Sequence, residues 1–160
     1  MLRDSHLIFI QFMEKPPNPM VIERRITFSQ TDAAGLIHFT TYFTLMEEAE
    51  AALFRELGLP LLWESEGFAY GFPRVNCQCK FRRPVGFDSP VRVELSITDI
   101  EGQRIFYSCR FLSPEGEVCA SGSMVTAFAK RDSSGALSAS EMPEPTREAL
   151  ESWKNQVKKA

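Results

Sequence analysis

The stretch TDAAGLIHF, residues 31–39, sets an acid, a glycine and a histidine within seven positions, directly ahead of a long helical pattern. A carboxylate beside a helix N-terminus lies where unpaired backbone N–H groups and the helix dipole stabilise an anion. Asp32 could act there on a carbonyl carbon as nucleophile or general base while a nearby N–H takes up the developing oxyanion. That is the chemistry of acyl transfer. Gly35 permits a close backbone approach. The same residues also serve a plain structural purpose, because Asp is a common former of turns and helix approaches. His38 has two readings as well: its ordinary pKa near neutrality suits an acid–base group, and its ring can instead pack or hydrogen-bond at the helix start. No Ser/His/Asp order and no Gly-x-Ser-x-Gly elbow competes for the role.

Other residues could join this chemistry. Glu47 and Glu48 follow Asp32 by 15 and 16 positions, on the helix, where one of them lines a pocket or both face water. The run KFRRP, residues 80–84, gathers positive charge where a strand is ending. Arg82 and Arg83 there suit phosphates, or form a solvated edge. Cys77, Cys79, Cys109 and Cys119 make no Cys-x-x-Cys pair and have no histidine at zinc-ligand spacing. They are expected to be reduced, mostly buried thiols, with Cys77 and Cys79 on one core-facing side of their strand. Trp63 is expected to pack under a loop.

These residues need a scaffold. The chain has 160 residues, 44% of them hydrophobic, which suits one domain with a real core. Its formal net charge of −3 comes from interspersed charges, with no basic stripe for nucleic acid. A small molecule or another subunit is the expected partner. The longest apolar run near the start, LIFI, is far too short to span a membrane, and no cleavable signal is legible; a cytoplasmic location is expected. Residues 1–19, ending in KPPNP, read as a loose leader, with Met13 or Met20 as alternative starts.

From Met20 to Gln30 the pattern is a half-buried strand. Tyr42, Leu45, Met46, Ala49, Leu53 and Leu57 then follow helical spacing, with Glu47, Glu48, Glu50, Arg55 and Glu56 largely off that stripe. Thr40 or Thr41 can cap this helix, and Gly58 with Pro60 ends it. Four strands follow near 73–83, 90–100, 103–112 and 117–130, joined by short turns that imply antiparallel pairing. A polar Ser/Gly stretch leads to a C-terminal helix over 146–160, so the folded domain is expected at 20–145. The order is α+β, one helix against an antiparallel sheet that must curl around the helix's single apolar stripe.

The stretch ITFSQTDAAGLIHFTTYFTLMEEAEAALFRELG resembles the signature of hotdog-fold acyl-CoA thioesterases of the 4-hydroxybenzoyl-CoA thioesterase family: a strand, Asp-x-x-Gly, an aromatic step and a long helix ending at Leu-Gly. FPRVNCQCKFRRPVGFDSPVRVELSI and SPEGEVCASGSMVTAF are similar to later strands of that family, and the likeness runs from about residue 20 to 130. It implies a curved antiparallel sheet wrapped on a long helix, homodimers or homotetramers, and active sites at the dimer interface. It implies hydrolysis of an acyl-CoA, with no cofactor beyond the coenzyme A of the substrate. Asp32 matches the catalytic carboxylate and Gly35 the motif glycine, and Phe39 falls where a backbone N–H polarises the thioester carbonyl. The candidate substrate-binding residues are Gly35, His38, Tyr42, Phe43, Glu47, Arg82 and Arg83, of which the resemblance places the two arginines near the nucleotide end of coenzyme A; no metal ligand is expected. Phe43, Phe68, Tyr70 and Phe72 suit an aromatic acyl group or a core.

The chain departs from the pattern at one step. Many bacterial members have an aromatic residue followed by His, whereas here His38 precedes Phe39 and takes the aromatic position. Hydratases of this fold set Asp and His five apart, usually with Asn-Pro between; Asp32 and His38 are six apart with neither. An acyl-carrier-protein thioesterase, for which KFRRP offers an acidic partner a surface, and a non-catalytic acyl-CoA-binding dimer or structural subunit are the alternatives.

Overall fold

The computed structural model describes residues 18–156. The leader expected over residues 1–19 lies outside them, apart from Asn18 and Pro19. The first strand, β1, is Met20–Arg25, shorter than the expected pattern. Phe28–Gln30 instead forms a 3-10 turn, whose Gln30 Oε1 accepts the Thr27 N–H at 2.9 Å. The long helix α1 is Phe39–Glu56. At 1.5 Å per residue it runs about 27 Å. Short strands β2, Leu62–Ser65, and β3, Phe68–Gly71, come next. Long strands follow as β4, Arg74–Phe81; β5, Pro90–Glu101; β6, Arg104–Leu112; and β7, Val118–Ala127. Two three-residue strands, β8 at Ala129–Arg131 and β9 at Leu137–Ala139, precede α2 at Glu144–Asn155.

Five strands form one antiparallel sheet in the order β1-β5-β6-β7-β4. Helix α1 packs against β1, β4 and β5 of that sheet. The alternation in β5 explains the seat: Val91, Val93, Leu95 and Ile97 turn inward and are buried. They meet Leu45, Met46, Ala49 and Leu53, all fully buried on one stripe of α1. On β7, Gly122 lets the helix come close: a Cβ there would lie 2.1 Å from Met46 Cε and 2.7 Å from the Gln78 carbonyl oxygen. This is the α+β hotdog arrangement that the sequence implies.

Several expectations change. The last expected strand breaks at Phe128, so its end, β8, leaves the main sheet for a second one ordered β2-β3-β8-β9. Trp63 does not sit under a loop; it pairs across β2 and β3 with Tyr70, ring centroids 5.4 Å apart, and stacks on Phe128. Cys109 and Cys119 are buried, but Cys79 is only half-buried and Cys77 is exposed, because β4 is the edge strand. Glu50 is buried on α1, not off the apolar stripe, since it lies one position after Ala49 and four after Met46. Helix α2 starts at Glu144, two residues earlier than expected, with Pro145 in its first turn where no N–H partner is needed.

Candidate active site

The loop before α1 is closed by its own backbone. The Asp32 N–H donates to the Leu36 carbonyl at 2.8 Å, and the Gly35 N–H donates to the Asp32 carbonyl at 3.0 Å. Gly35 takes φ +72°, a region that favours glycine. The Asp32 side chain completes the turn, its Oδ1 accepting the Ala34 N–H at 2.8 Å and the Leu36 N–H at 3.3 Å. Its Oδ2 accepts no hydrogen bond among the described residues. The turn and the chemical reading of Asp32 are therefore compatible, one oxygen for each.

His38 is the N-cap of α1, in place of the expected Thr40 or Thr41. Its Nδ1 accepts the Thr40 N–H at 3.3 Å and lies 2.7 Å from the Thr40 hydroxyl. Its own N–H donates to the Gln30 carbonyl at 2.8 Å, so the 3-10 turn holds the helix start. Phe39 follows at the first helical position. Its N–H has no acceptor among the described residues, as expected of a helix's opening turn.

Asp32, Phe39, Tyr42, Arg82 and Arg83 line one cleft of about 320 Å³. Fifty residues separate Asp32 from Arg82 in the chain. They meet because Val85 accepts the Ile37 N–H at 2.8 Å and Leu36 bridges to Gly86, which ties the Asp32 loop to the segment after β4. The Arg82 and Arg83 N–H groups both donate to the Cys119 carbonyl, at 2.8 and 3.0 Å. The Arg83 side chain pairs with Glu117 at 3.1 Å, whereas Arg82 forms no ion pair among the described residues. Tyr42 is buried against Phe81 and Phe111, each ring 5.0 Å away. Burial pushes its hydroxyl up to about 12, so it stays a neutral hydrogen-bonding group.

A family model described as the thioesterase-like superfamily matches residues 26–150. The chain belongs to the thioesterase-like superfamily. It is 28% identical over 82 residues to a putative esterase of Aquifex aeolicus (strain VF5), a match covering 51% of this chain and 63% of that protein. It is 32% identical over 87 residues to a 1,4-dihydroxy-2-naphthoyl-CoA hydrolase of Prochlorococcus marinus (strain MIT 9303), covering 50% and 58%. The chain thus spans about six tenths of the length of these curated relatives. Among solved structures, the BH1999 gentisyl-coenzyme A thioesterase superposes with TM-score 0.67 at 27% identity, over 82% of this chain and 98% of that one. A 4-hydroxybenzoyl CoA thioesterase mutant complexed with 4-hydroxybenzoyl CoA superposes with TM-score 0.71 over 83% and 99%, and at 21% identity shares the fold.

In this thioesterase-like chain the cleft does not gather every residue the sequence pointed to. Gly35 and His38 are not among its lining residues; Gly35 sits in the Asp32 turn and His38 caps α1. Phe43 packs against the hydrophobic core instead. Glu47 faces a different cavity, shared with Glu50 and Arg74, because eight positions along α1 carry it about 12 Å from Phe39. Phe81 lines the cleft and was not anticipated; its place inside the KFRRP run, next to Arg82, was the available signal. Among the described residues no three or more His, Cys, Asp or Glu side chains group as a metal site. No helix among them is long and apolar enough to cross a membrane.

Proposed function

We propose that this protein hydrolyses an acyl-CoA thioester to the free acid and coenzyme A. One observation carries the reading: Asp32 and Phe39 border the same cleft, and among the described residues neither the Asp32 Oδ2 nor the Phe39 N–H has a hydrogen-bond partner. A thioester carbonyl between them meets an anion on one side and a hydrogen-bond donor on the other. As a nucleophile, Oδ2 bonds to the carbonyl carbon, the C–S bond breaks and the thiolate leaves; water then opens the mixed anhydride and restores the carboxylate. As a general base, Asp32 takes a proton from the water that attacks. Both routes build negative charge on the carbonyl oxygen, and the helix N-terminus with its Phe39 N–H stabilises it.

Arg82, exposed at the cleft and without an ion pair among the described residues, suits the phosphates of coenzyme A. The same exposure favours an acyl carrier protein as the alternative thiol carrier. The exposed edge strand β4 supports a homodimer or homotetramer as the working form, and coenzyme A chemistry suits the cytoplasm. The scheme needs no metal or redox group.

The test is release of free thiol from a panel of aromatic and aliphatic acyl-CoAs, read with a thiol reagent, for wild type and Asp32→Asn. Release by wild type and its loss in the variant are expected. No release from any member overturns the activity, and full activity in Asp32→Asn overturns the mechanism.

A further inference from the structure

Helix α1 begins at Phe39, whose N–H is the oxyanion donor of the proposed reaction, so whatever holds the first turn of α1 also aims that donor. Ser, Thr, Asn and Asp are the usual N-cap residues, because their side-chain oxygens accept from the backbone. Here an imidazole nitrogen takes that role. His38 Nδ1 accepts the Thr40 N–H at 3.3 Å and lies 2.7 Å from the Thr40 hydroxyl. The Thr40 N–H is aimed at Nδ1, which makes that nitrogen the acceptor and assigns the proton of the neutral ring to Nε2.

The backbone on either side of Phe39 is fixed to one oxygen. The His38 N–H donates to the Gln30 carbonyl at 2.8 Å, and the Thr41 hydroxyl donates to the same carbonyl at 3.2 Å. Residues 38, 40 and 41 thus bracket Phe39, whose own N–H has no acceptor among the described residues. Among those residues the half-buried ring of His38 touches Phe39 and Thr40.

We propose that His38 is a positioning residue for the oxyanion donor, and that it holds the Phe39 N–H in place only while its ring is neutral. This rests on the thioesterase reading above. A protonated imidazole carries hydrogen on both nitrogens and has no lone pair for the Thr40 N–H. Its charge also meets the positive end of the α1 dipole. Both effects have the same sign: the first turn is firm while the ring is neutral and loosens as pH falls through the ring's titration. The elements that meet here carry few other charges. The 3-10 turn has no titratable group, the first turn of α1 has Tyr42, the loop has Asp32, and residues 82–88 have Arg82, Arg83 and Asp88. Arg83 pairs with Glu117, and from β1 Arg24 goes to Glu48 and Arg25 to Asp88.

Two measurements on the full chain test this. Ring and amide NMR shifts followed from about pH 5 to pH 8 need no substrate. Expected are an unprotonated Nδ1 in the neutral ring and a Thr40 amide shift that moves with the midpoint of the ring. A proton on Nδ1 of the neutral ring, or a Thr40 amide that ignores the titration, overturns the proposal.

Thiol release over the same range reads the catalytic consequence. Loss of an N-cap shifts a first-turn equilibrium by about fivefold. Wild-type kcat is therefore expected to fall about fivefold through the His38 midpoint, with KM unchanged, because an oxyanion donor acts in the transition state. His38→Asn caps with an uncharged oxygen and should lose that step while keeping kcat at pH 8 within about twofold of wild type. Steps owed to Asp32 or Glu50 survive in His38→Asn, so the difference between the two profiles reads His38 alone. His38→Ala should lower kcat about fivefold at pH 8, and no more than about twofold when placed on Phe39→Pro, which already lacks the donor. An identical pH step in His38→Asn, or an undiminished His38→Ala effect on Phe39→Pro, overturns the positioning role. If His38→Ala does not fold, the His38→Asn profile and the NMR titration still decide. Absence of thiol release from every acyl-CoA refutes the thioesterase reading and with it any catalytic role for His38, whereas thiol release with a failed His38 test refutes the positioning role alone.

Discussion

Replacing Phe39 by proline removes one N–H and leaves the helix in place. Proline is tolerated at the first helical position because that donor has no intrahelical acceptor and the ring's fixed φ suits a helix start. Proline also requires an extended residue before it. His38 already has φ −65° and ψ 137°. Phe39 is 56% exposed and its ring meets His38 in a tilted contact at 4.6 Å, so its removal costs little core packing. Phe39→Ala removes the same ring and keeps the N–H, and the ratio of the two variants therefore isolates the donor. Loss of one oxyanion donor lowers kcat by about 10²–10³, roughly 3–4 kcal/mol of transition-state stabilisation. The assay is steady-state thiol release from the best acyl-CoA of the panel, alongside thermal melts. Phe39→Ala is expected to keep kcat within about fivefold of wild type, with Phe39→Pro about 10²-fold or more below it at a similar Tm. Equal kcat in two folded variants would refute the oxyanion role of this N–H.

The other expectations concern Asp32, Glu50 and Gly122. Asp32→Asn should keep the two loop bonds to Oδ1 and its Tm, and lose about 10²–10⁴ in kcat. Asp32→Ala should lose as much activity and also about 2 kcal/mol, at roughly 1 kcal/mol per hydrogen bond. Glu50 titrates at about 7 when folded, against an ordinary 4.5, so the folded state holds its proton longer. This favours folding below pH 4.5, and the benefit is lost as pH rises through 7. At 1.36 kcal/mol per pH unit the total is about 3 kcal/mol. Denaturant midpoints at pH 5 and 8 should show that fall in wild type and its absence in Glu50→Gln. Gly122→Ala should overpack the helix seat, because the new Cβ meets Met46 Cε at 2.1 Å and the Gln78 carbonyl at 2.7 Å. A loss of about 2 kcal/mol, or roughly 4–8 °C in Tm for a chain of this size, is expected by calorimetry.

Much of the site is written in nearby residues. Asp32, Gly35 and Phe39 lie within eight consecutive positions, and the turn is closed by bonds within residues 32–36, so residue type and spacing suffice to describe it. The helix is legible for the same reason: the stripe from Tyr42 to Leu53 repeats at the helical period, and Gly58 ends it. The long strands β4 to β7 carry enough alternation to be seen, but β2, β3, β8 and β9 have only three or four residues each, too few for a period to register. Their identity depends on cross-strand partners such as Trp63 and Tyr70.

Local sequence also cannot separate Glu47 from Glu50. Both are acids on one helix, yet one is exposed and the other is sealed beneath Arg74 of a strand that begins 24 residues later. The chain's own order determined the turn, the helix and the acid beside its start, because those depend on neighbours within a few positions. Which arginines face Asp32 and which glutamate is buried was decided only by the tertiary structure, since burial and distance depend on the surfaces that the sheet brings against the helix.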